Sequence, residues 1–266
     1  MAPFPHPVLL AVPAFGVDHL TDAVLRDLVR DPVDEVPGLR IVVVDNRGDH
    51  TPAVDDPRVE LHRPSSNLKW LGTVNWALAE AERAGDAVCV VLNNDTRLSR
   101  GFVAALVATF TECEGVAVAA PTYDDFWLHA RAREIPATAD AYRSVHAYRP
   151  VPFCDGTGFA LSVEAVRRVG GLDAVAFPEQ GYGADIDLAL RARDLGYRCV
   201  VTEAAYLSHH RRGTMAGLPD ESAERHRAEI LTGLAATRGD GWRAQAGLGP
   251  GAFPPHNTGS SASWYA

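Results

Sequence analysis

The feature that most constrains this chain is a recurrence: short, β-branched apolar runs alternate with amphipathic stretches from Val8 to Pro121. The runs read VLLAV (8–12), LRIVVVD (39–45), RVELH (58–62), AVCVVLNND (87–95) and VAVAAP (116–121). Between them a helix opens at Asp18, which is placed to cap it, with Leu20, Val24 and Leu28 on one face. A second helix, GTVNWALAEAERAG, stops at Gly85, and a third, GFVAALVATFTEC, follows Ser99 as its cap and carries Phe102, Leu106 and Phe110. Strands that are apolar on both faces and separated by one-sided helices belong to a parallel sheet with helices on both faces. The expected class is therefore α/β, with a Rossmann-like, mostly parallel sheet.

The remainder is less periodic. Residues 122–150 mix aromatic and charged side chains and read as a binding loop. Beyond them GTGFALS reads as a strand, VEAVRRVGG as a helix, ADIDLALRARDLGY as a helix with Leu188, Ala192 and Leu195 as its stripe, and RCVVTEAAYLSHH as extended chain. From Gly239 the chain is rich in Gly, Pro and Ser, which predicts a flexible tail at 239–266. A single domain over 1–238 is expected, in two halves, 7–121 and 122–238.

Composition removes several function classes. Lys and Arg total 25 against 34 Asp and Glu, a formal charge of -9, so no general attraction to a nucleic-acid backbone or an anionic membrane is expected. No apolar run approaches the roughly 18 residues of a membrane span. The opening MAPFPHPVLLAVPAF lacks a signal peptide's charged and apolar regions, so a cytoplasmic location is expected, with room for peripheral membrane contact and for homo-oligomers. Cys89, Cys113, Cys154 and Cys199 form no C-x-x-C pair and read as mostly buried thiols. No G-x-G-x-x-G follows the first strand, which argues against a dinucleotide oxidoreductase.

Two apolar strands end in acids: IVVV in Asp45, and VVL in Asn93, Asn94 and Asp95. Ligands of open α/β sheets collect at the carboxyl edge of the strands, so paired strand-end acids point to a polar ligand. The plainer reading of each is a turn residue that bonds its own backbone. A hard divalent cation takes carboxylate oxygen, which suits Asp95, and Mn2+ also accepts imidazole, which makes His209 and His210 candidates. Alternatively the two histidines are surface residues. Asp185 and Asp187 flank Ile186 at a helix start, either as ordinary first-turn acids or with one carboxylate accepting a substrate proton. Gly181 and Gly183 just before them leave room for close ligand approach.

Over residues 7–215 these stretches together resemble the inverting family 2 glycosyltransferases of the GT-A fold, especially their rhamnosyltransferase-like bacterial members. VLLAVPAFG is similar to the family's first strand and turn, with Pro13, Ala14 and Phe15 at the turn. IVVVDNRGDHT resembles the strand whose acid, here Asp45, binds the nucleobase. NLKWLGTVNWAL resembles the segment bordering the nucleotide and keeps Asn67, Gly72 and Asn75; Lys69 replaces the family's Gly and points to a phosphate contact. LNNDTRLSRGFV is similar to the D-x-D region, which makes Asp95 the metal ligand with Asn93 and Asn94 on the nucleotide sugar. DGTGFALSVEAVRRVGGLD resembles the sugar and acceptor wall, implicating Gly156, Thr157 and Gly158 for the donor and Asp155 for the acceptor, beside Trp127 and Tyr182. GADIDLALRARDLGYRCVV resembles the segment of the catalytic base, here Asp185, and YLSHHRRGT the closing His-rich segment; there Arg211 and Arg212 read either as hydrogen-bond donors to the phosphates or as a solvated basic turn.

The resemblance implies a metal-dependent inverting glycosyltransferase of hexosyltransferase type. It would use Mn2+ or Mg2+ and carry a sugar from a nucleoside diphosphate sugar to a small-molecule or glycan acceptor. Two departures stand out: Asn93 replaces the first D-x-D acid, and Ala184 replaces the Glu usual before the base. They keep a catalytically weakened nucleotide-sugar binder as an alternative. A sugar-nucleotide nucleotidyltransferase is the other, although VPAFGVDHL has no basic Gly-rich loop.

Overall fold

A computed structural model describes residues 4–124, 129–210 and 221–249, with side chains from Glu224 onward in the last of these segments. In chain order the elements are β1 (Val8–Ala14), α1 (Asp18–Val29), β2 (Leu39–Asp45), β3 (Val59–His62), α2 (Lys69–Ala84), β4 (Val88–Leu92) and β5 (Thr96–Leu98). They continue with α3 (Phe102–Val107), α4 (Thr109–Glu112), β6 (Val116–Tyr123), β7 (Tyr148–Val151), β8 (Gly158–Ser162), α5 (Val163–Val169), α6 (Ala184–Asp194), β9 (Arg198–His209), α7 (Glu221–Arg238) and α8 (Trp242–Gln245).

One sheet runs β3-β2-β1-β4-β8-β6-β9-β5, with β7 paired to β9 off that path. The first four strands are parallel neighbours, as the apolar runs predict, and β6 and β9 are parallel in the second half. Every residue of β4 is buried, so it carries no polar face. Burying each such Val or Leu contributes about 1.5–3 kcal/mol, and this central strand anchors the sheet.

The antiparallel β8 is inserted between β4 and β6, with Gly158 opposite Leu92 and Ser162 opposite Val88. It therefore begins where β4 ends, so residues 155–158 reach the same edge as Asp45 and Asp95. The long β9 runs parallel to β6 and brings His209 opposite Thr96, to that edge as well. One reversed strand thus gathers the functional segments of both halves along one side of the sheet.

Several local expectations are corrected. Val17, in left-handed conformation at φ 52°, precedes α1 where Asp18 was expected to cap, and Asp18 lies in the first turn. Ser99 does not cap a helix; its hydroxyl accepts the Tyr206 N–H at 3.0 Å and ties β5 to β9. The helix after it starts at Phe102, with Gly101 as its cap residue, and breaks at Ala108 into α3 and α4. Leu195 is 58% exposed, so the buried side of α6 is made by Ile186, Leu188, Ala189 and Ala192 instead. The 122–150 stretch runs into β7 at Tyr148, and β5 is a strand that no apolar run announces. At the start of the expected tail, α8 buries Trp242, so residues 239–249 pack onto the domain; residues 250–266 lie outside the described residues. Among the described residues no helix is long and apolar enough to cross a membrane.

Candidate active site

Asp45 closes β2 opposite Ala14 and is 1% exposed. Its Oδ1 accepts the N–H groups of Gly48 at 2.8 Å and Arg47 at 3.2 Å; its Oδ2 accepts that of His50 at 2.9 Å and Arg63 Nε at 3.3 Å. Burial alone raises such a carboxyl's pKa, but these four donors outweigh it and hold Asp45 below the usual carboxylate range. The acid organises the 45–50 turn. Beside it Asn46 accepts the Leu68 N–H at 2.8 Å, which fixes the approach to α2.

Asp95 follows β4 and is 6% exposed. His209, at the end of β9, brings Nε2 to 3.2 Å from Asp95 Oδ1. His210 donates its backbone N–H to the Asp95 carbonyl at 2.8 Å, so the two histidines reach this acid by different atoms. The geometry is shaped by Asp124, whose carboxylate accepts the Ser208 hydroxyl at 2.7 Å and the His209 N–H at 3.2 Å. At 3.2 Å the two side chains are in direct contact, and both are donor types that a divalent cation such as Mn2+ accepts. The hard oxygen and the imidazole nitrogen therefore fit a divalent cation. Among the described residues no group of three His, Cys, Asp or Glu that could hold a metal ion converges. Next to Asp95, Asn94 donates to the Thr21 hydroxyl at 3.0 Å, and the Asn93 N–H bonds the Thr157 carbonyl at 2.9 Å.

Asp185 lies in the first turn of α6, partly buried. Its Oδ2 accepts the Gly156 N–H at 2.9 Å and its Oδ1 the Ile186 N–H at 2.8 Å. Burial first, and the nearby Asp155 carboxylate second, push its pKa up to about 7 against the pull of those amides. Asp155 folds back to accept the Thr157 N–H at 2.8 Å. A carboxyl with this pKa is half-ionised near neutrality, which is where a general base works best. Asp187, the rival acid, is fully buried and pairs its Oδ2 with Arg191 Nε at 2.7 Å, whereas Asp185 is only partly buried.

The other expected residues divide. Asn75 is consumed by the Leu172 backbone, donating at 2.9 Å and accepting at 3.0 Å. Lys69 places its ammonium on the Glu179 carbonyl, and Asn67 accepts the Lys69 N–H at 2.8 Å, so this turn contacts the loop before α6. Gly72 stands within α2, and Pro13 and Ala14 end β1 beside Phe15, which is 48% exposed. Gly156 is needed for space: a Cβ there would lie 2.3 Å from Trp70 Cζ2. Gly158 and Thr157 are buried at the start of β8, where Tyr123 donates its hydroxyl to the Gly158 carbonyl at 2.6 Å. Tyr182 is 41% exposed and stacks on His226 with ring centroids 4.3 Å apart. Trp127, Arg211 and Arg212 lie outside the described residues. Two contacts are not announced by the motifs: Asp124, the acid that directly follows VAVAAPTY, accepts the His209 N–H, and Glu229 reaches across the fold to the Gly181 N–H.

The profile of the glycosyl transferase family group 2 matches residues 88–227. Uncharacterized proteins of Mycobacterium tuberculosis and Mycobacterium bovis are 38% identical over 207 residues, covering 78% of this chain and 75% of theirs. Among solved structures, a mannosyltransferase from Pyrobaculum calidifontis in complex with GDP-Man and Mn2+ superposes with a TM-score of 0.62 at 18% identity, over 91% of this chain and 70% of that one. Glucosyl-3-phosphoglycerate synthase from Mycobacterium tuberculosis, in complex with Mn2+, UDP and phosphoglyceric acid, gives 0.55 at 15% identity, over 93% and 81%. These folds are the GT-A arrangement that the resemblance implies. By its profile match and its sequence relatives, the chain belongs to the glycosyl transferase family group 2.

Proposed function

We propose that this protein is a metal-dependent inverting glycosyltransferase of hexosyltransferase type, which moves a sugar from a nucleoside diphosphate sugar to a hydroxyl of a small-molecule or glycan acceptor. One observation carries the reading: Asp185, with its pKa at about 7, stands at the same sheet edge as the Asp95 and His209 pair. One group suits removal of a proton from an acceptor and the other suits a cation on a diphosphate. The Mn2+ and nucleotide ligands of the mannosyltransferase and the synthase support the donor class.

Asp185 takes the acceptor hydroxyl's proton as that oxygen bonds the anomeric carbon, and the bond from that carbon to the diphosphate breaks on the opposite face. Configuration inverts because one displacement occurs. Asp95 and His209 would hold the cation, with His210 fixing the Asp95 backbone. When bound, a divalent ion, Mn2+ or Mg2+, neutralises charge growing on the departing diphosphate as a Lewis acid. The Gly156 amide orients the base carboxyl toward the acceptor side, where the exposed Tyr182 ring offers a face suited to a sugar or a flat aglycone. On the donor side the exposed Phe15 ring beside the Asp45 turn would meet the nucleobase, and Asn93, Asn94, Gly156, Thr157 and Gly158 would border the sugar diphosphate.

The test is a panel of nucleotide sugars, first by thermal shift with and without Mn2+, then by turnover. A donor that stabilises the fold only with metal, slow release of nucleoside diphosphate, and a product of inverted anomeric configuration by NMR are expected. Pyrophosphate release would replace this reading with nucleotidyl transfer, and tight binding without any turnover would leave a nucleotide-sugar binder.

A further inference from the structure

Glu229, on α7, is 7% exposed, and its partners among the described residues are all backbone amides. Oε1 accepts the N–H groups of Glu179 at 2.8 Å, Gln180 at 3.1 Å and Gly181 at 3.1 Å. Oε2 accepts those of Gln180 at 3.1 Å and Tyr182 at 3.3 Å. Four successive amides thus converge on one carboxylate, a concavity of the kind that binds anions and that the positive φ of Gly181, +87°, allows. The same loop is gripped from outside by Lys69 on the Glu179 carbonyl and by the stack of Tyr182 on His226, one turn before Glu229 on α7.

The loop leads directly into the base. The Gly181 carbonyl accepts the Ala184 N–H at 3.1 Å, and that of Gly183 accepts the Asp187 N–H at 3.0 Å, so the first turn of α6 is continuous with the amide cluster. Packing alone already docks α7 here, since Ile230 abuts Gly183 and Phe177 fills the space against Gly233. A buried carboxylate adds a desolvation cost that an apolar residue would avoid, and what it returns is a single loop conformation.

We propose that Glu229 is a positioning residue for transfer: its carboxylate fixes the 179–182 loop, and through it the turn that presents Asp185 and Tyr182 to the acceptor. The assignment rests on the reading of Asp185 as the base. Glu229→Gln keeps the size and one accepting oxygen but places an N–H donor against the amides; Glu229→Ala removes both oxygens. In both, kcat should fall by about tenfold or more while donor KM and the metal-dependent thermal shift stay within about twofold, because misplacement of a reacting group costs turnover before binding. Amide hydrogen exchange should accelerate by about tenfold or more at 179–186, with β1 to β4 unchanged. Glu229→Asp should restore part of both. The proposal is overturned by a folded Gln variant with wild-type kcat and exchange, or by one in which donor affinity and melting temperature fall in step with kcat, the signature of general destabilisation. Exchange is read without turnover, so failure of every donor would sink the Asp185 reading while still reporting whether Glu229 orders the loop. The Gln variant keeps the test open if the Ala variant does not fold.

Discussion

Asp45 and Asp185 sit at the same edge of one sheet and are treated by the fold in opposite ways. Asp45, on the parallel half, accepts four donors, is wholly buried and is held below the usual carboxylate range. Asp185, on the mixed half, accepts two amides, faces a second carboxylate and is raised to about 7. The difference teaches how a fold assigns roles to one chemical group: a saturated carboxylate organises backbone, and an under-served one beside a like charge stays ready to take a proton.

The comparison breaks most directly at Asp185. Asp185→Asn should lower kcat by roughly 10²–10⁴-fold while nucleotide-sugar affinity, followed by calorimetry, is kept. Turnover at the wild-type rate would end the assignment. Asp45→Ala should leave the 47–50 amides without an acceptor and destabilise the protein by about 2–4 kcal/mol, measured by urea denaturation; a loss below about 1 kcal/mol would mean the turn re-forms on water.

The pH dependence of stability should separate the two acids. Asp185 has its folded pKa raised above the unfolded value of 3.8, so its contribution is full below 3.8 and is lost as pH rises toward about 7. The shift for Asp45 is downward, so its contribution is present above the ordinary carboxylate range and is lost only as pH falls below it. Wild type should therefore lose on the order of 2 kcal/mol relative to Asp185→Asn between pH 4 and pH 8, with solvent screening at the partly exposed carboxyl included. Parallel curves for the two proteins would remove the raised pKa from the account. The smallest effect is expected at Arg63→Ala, because its guanidinium is 47% exposed and Asp45 keeps three amides. That loss should stay below about 1 kcal/mol, and a larger one would shift the credit from backbone to side chain.

Much of this contrast is legible in the sequence. LRIVVVD and AVCVVLNND announce their strands because burial on both faces demands apolar residues throughout, and their acids fall at the carboxyl edge for the same reason. The strands β5 and β7 are not legible: TRL and YRPV are short, carry an Arg each and are made strands by β9, their distant partner. Leu195 looks like the next step of a helical stripe, yet α6 ends at Asp194 and leaves it in solvent. Asp185, the proposed base, and Asp95 with a neighbouring histidine stand out through motif order, but the choice of His209 for the side-chain contact follows from register with Thr96. Asn75 reads as a ligand contact and proves to hold Leu172, 97 residues away, a pairing no local pattern encodes. The resemblance reaches the family; its rhamnosyltransferase-like branch is a finer matter for the donor panel.

The first two turns of α2 bear on how such a protein changes over generations. Trp70 covers Gly156, and Leu71 occupies the space a Cβ on Gly181 would take, at 2.6 Å from it. Position 156 is thus tied to position 70, since a side chain at 156 is admitted only alongside a smaller residue on the helix, whereas at 181 the backbone at φ +87° strains any side chain even if Leu71 is made smaller. Mutational searches that vary one site at a time will find both glycines immovable, whereas libraries that vary 70 and 156 together can change Gly156 and will still leave Gly181 fixed.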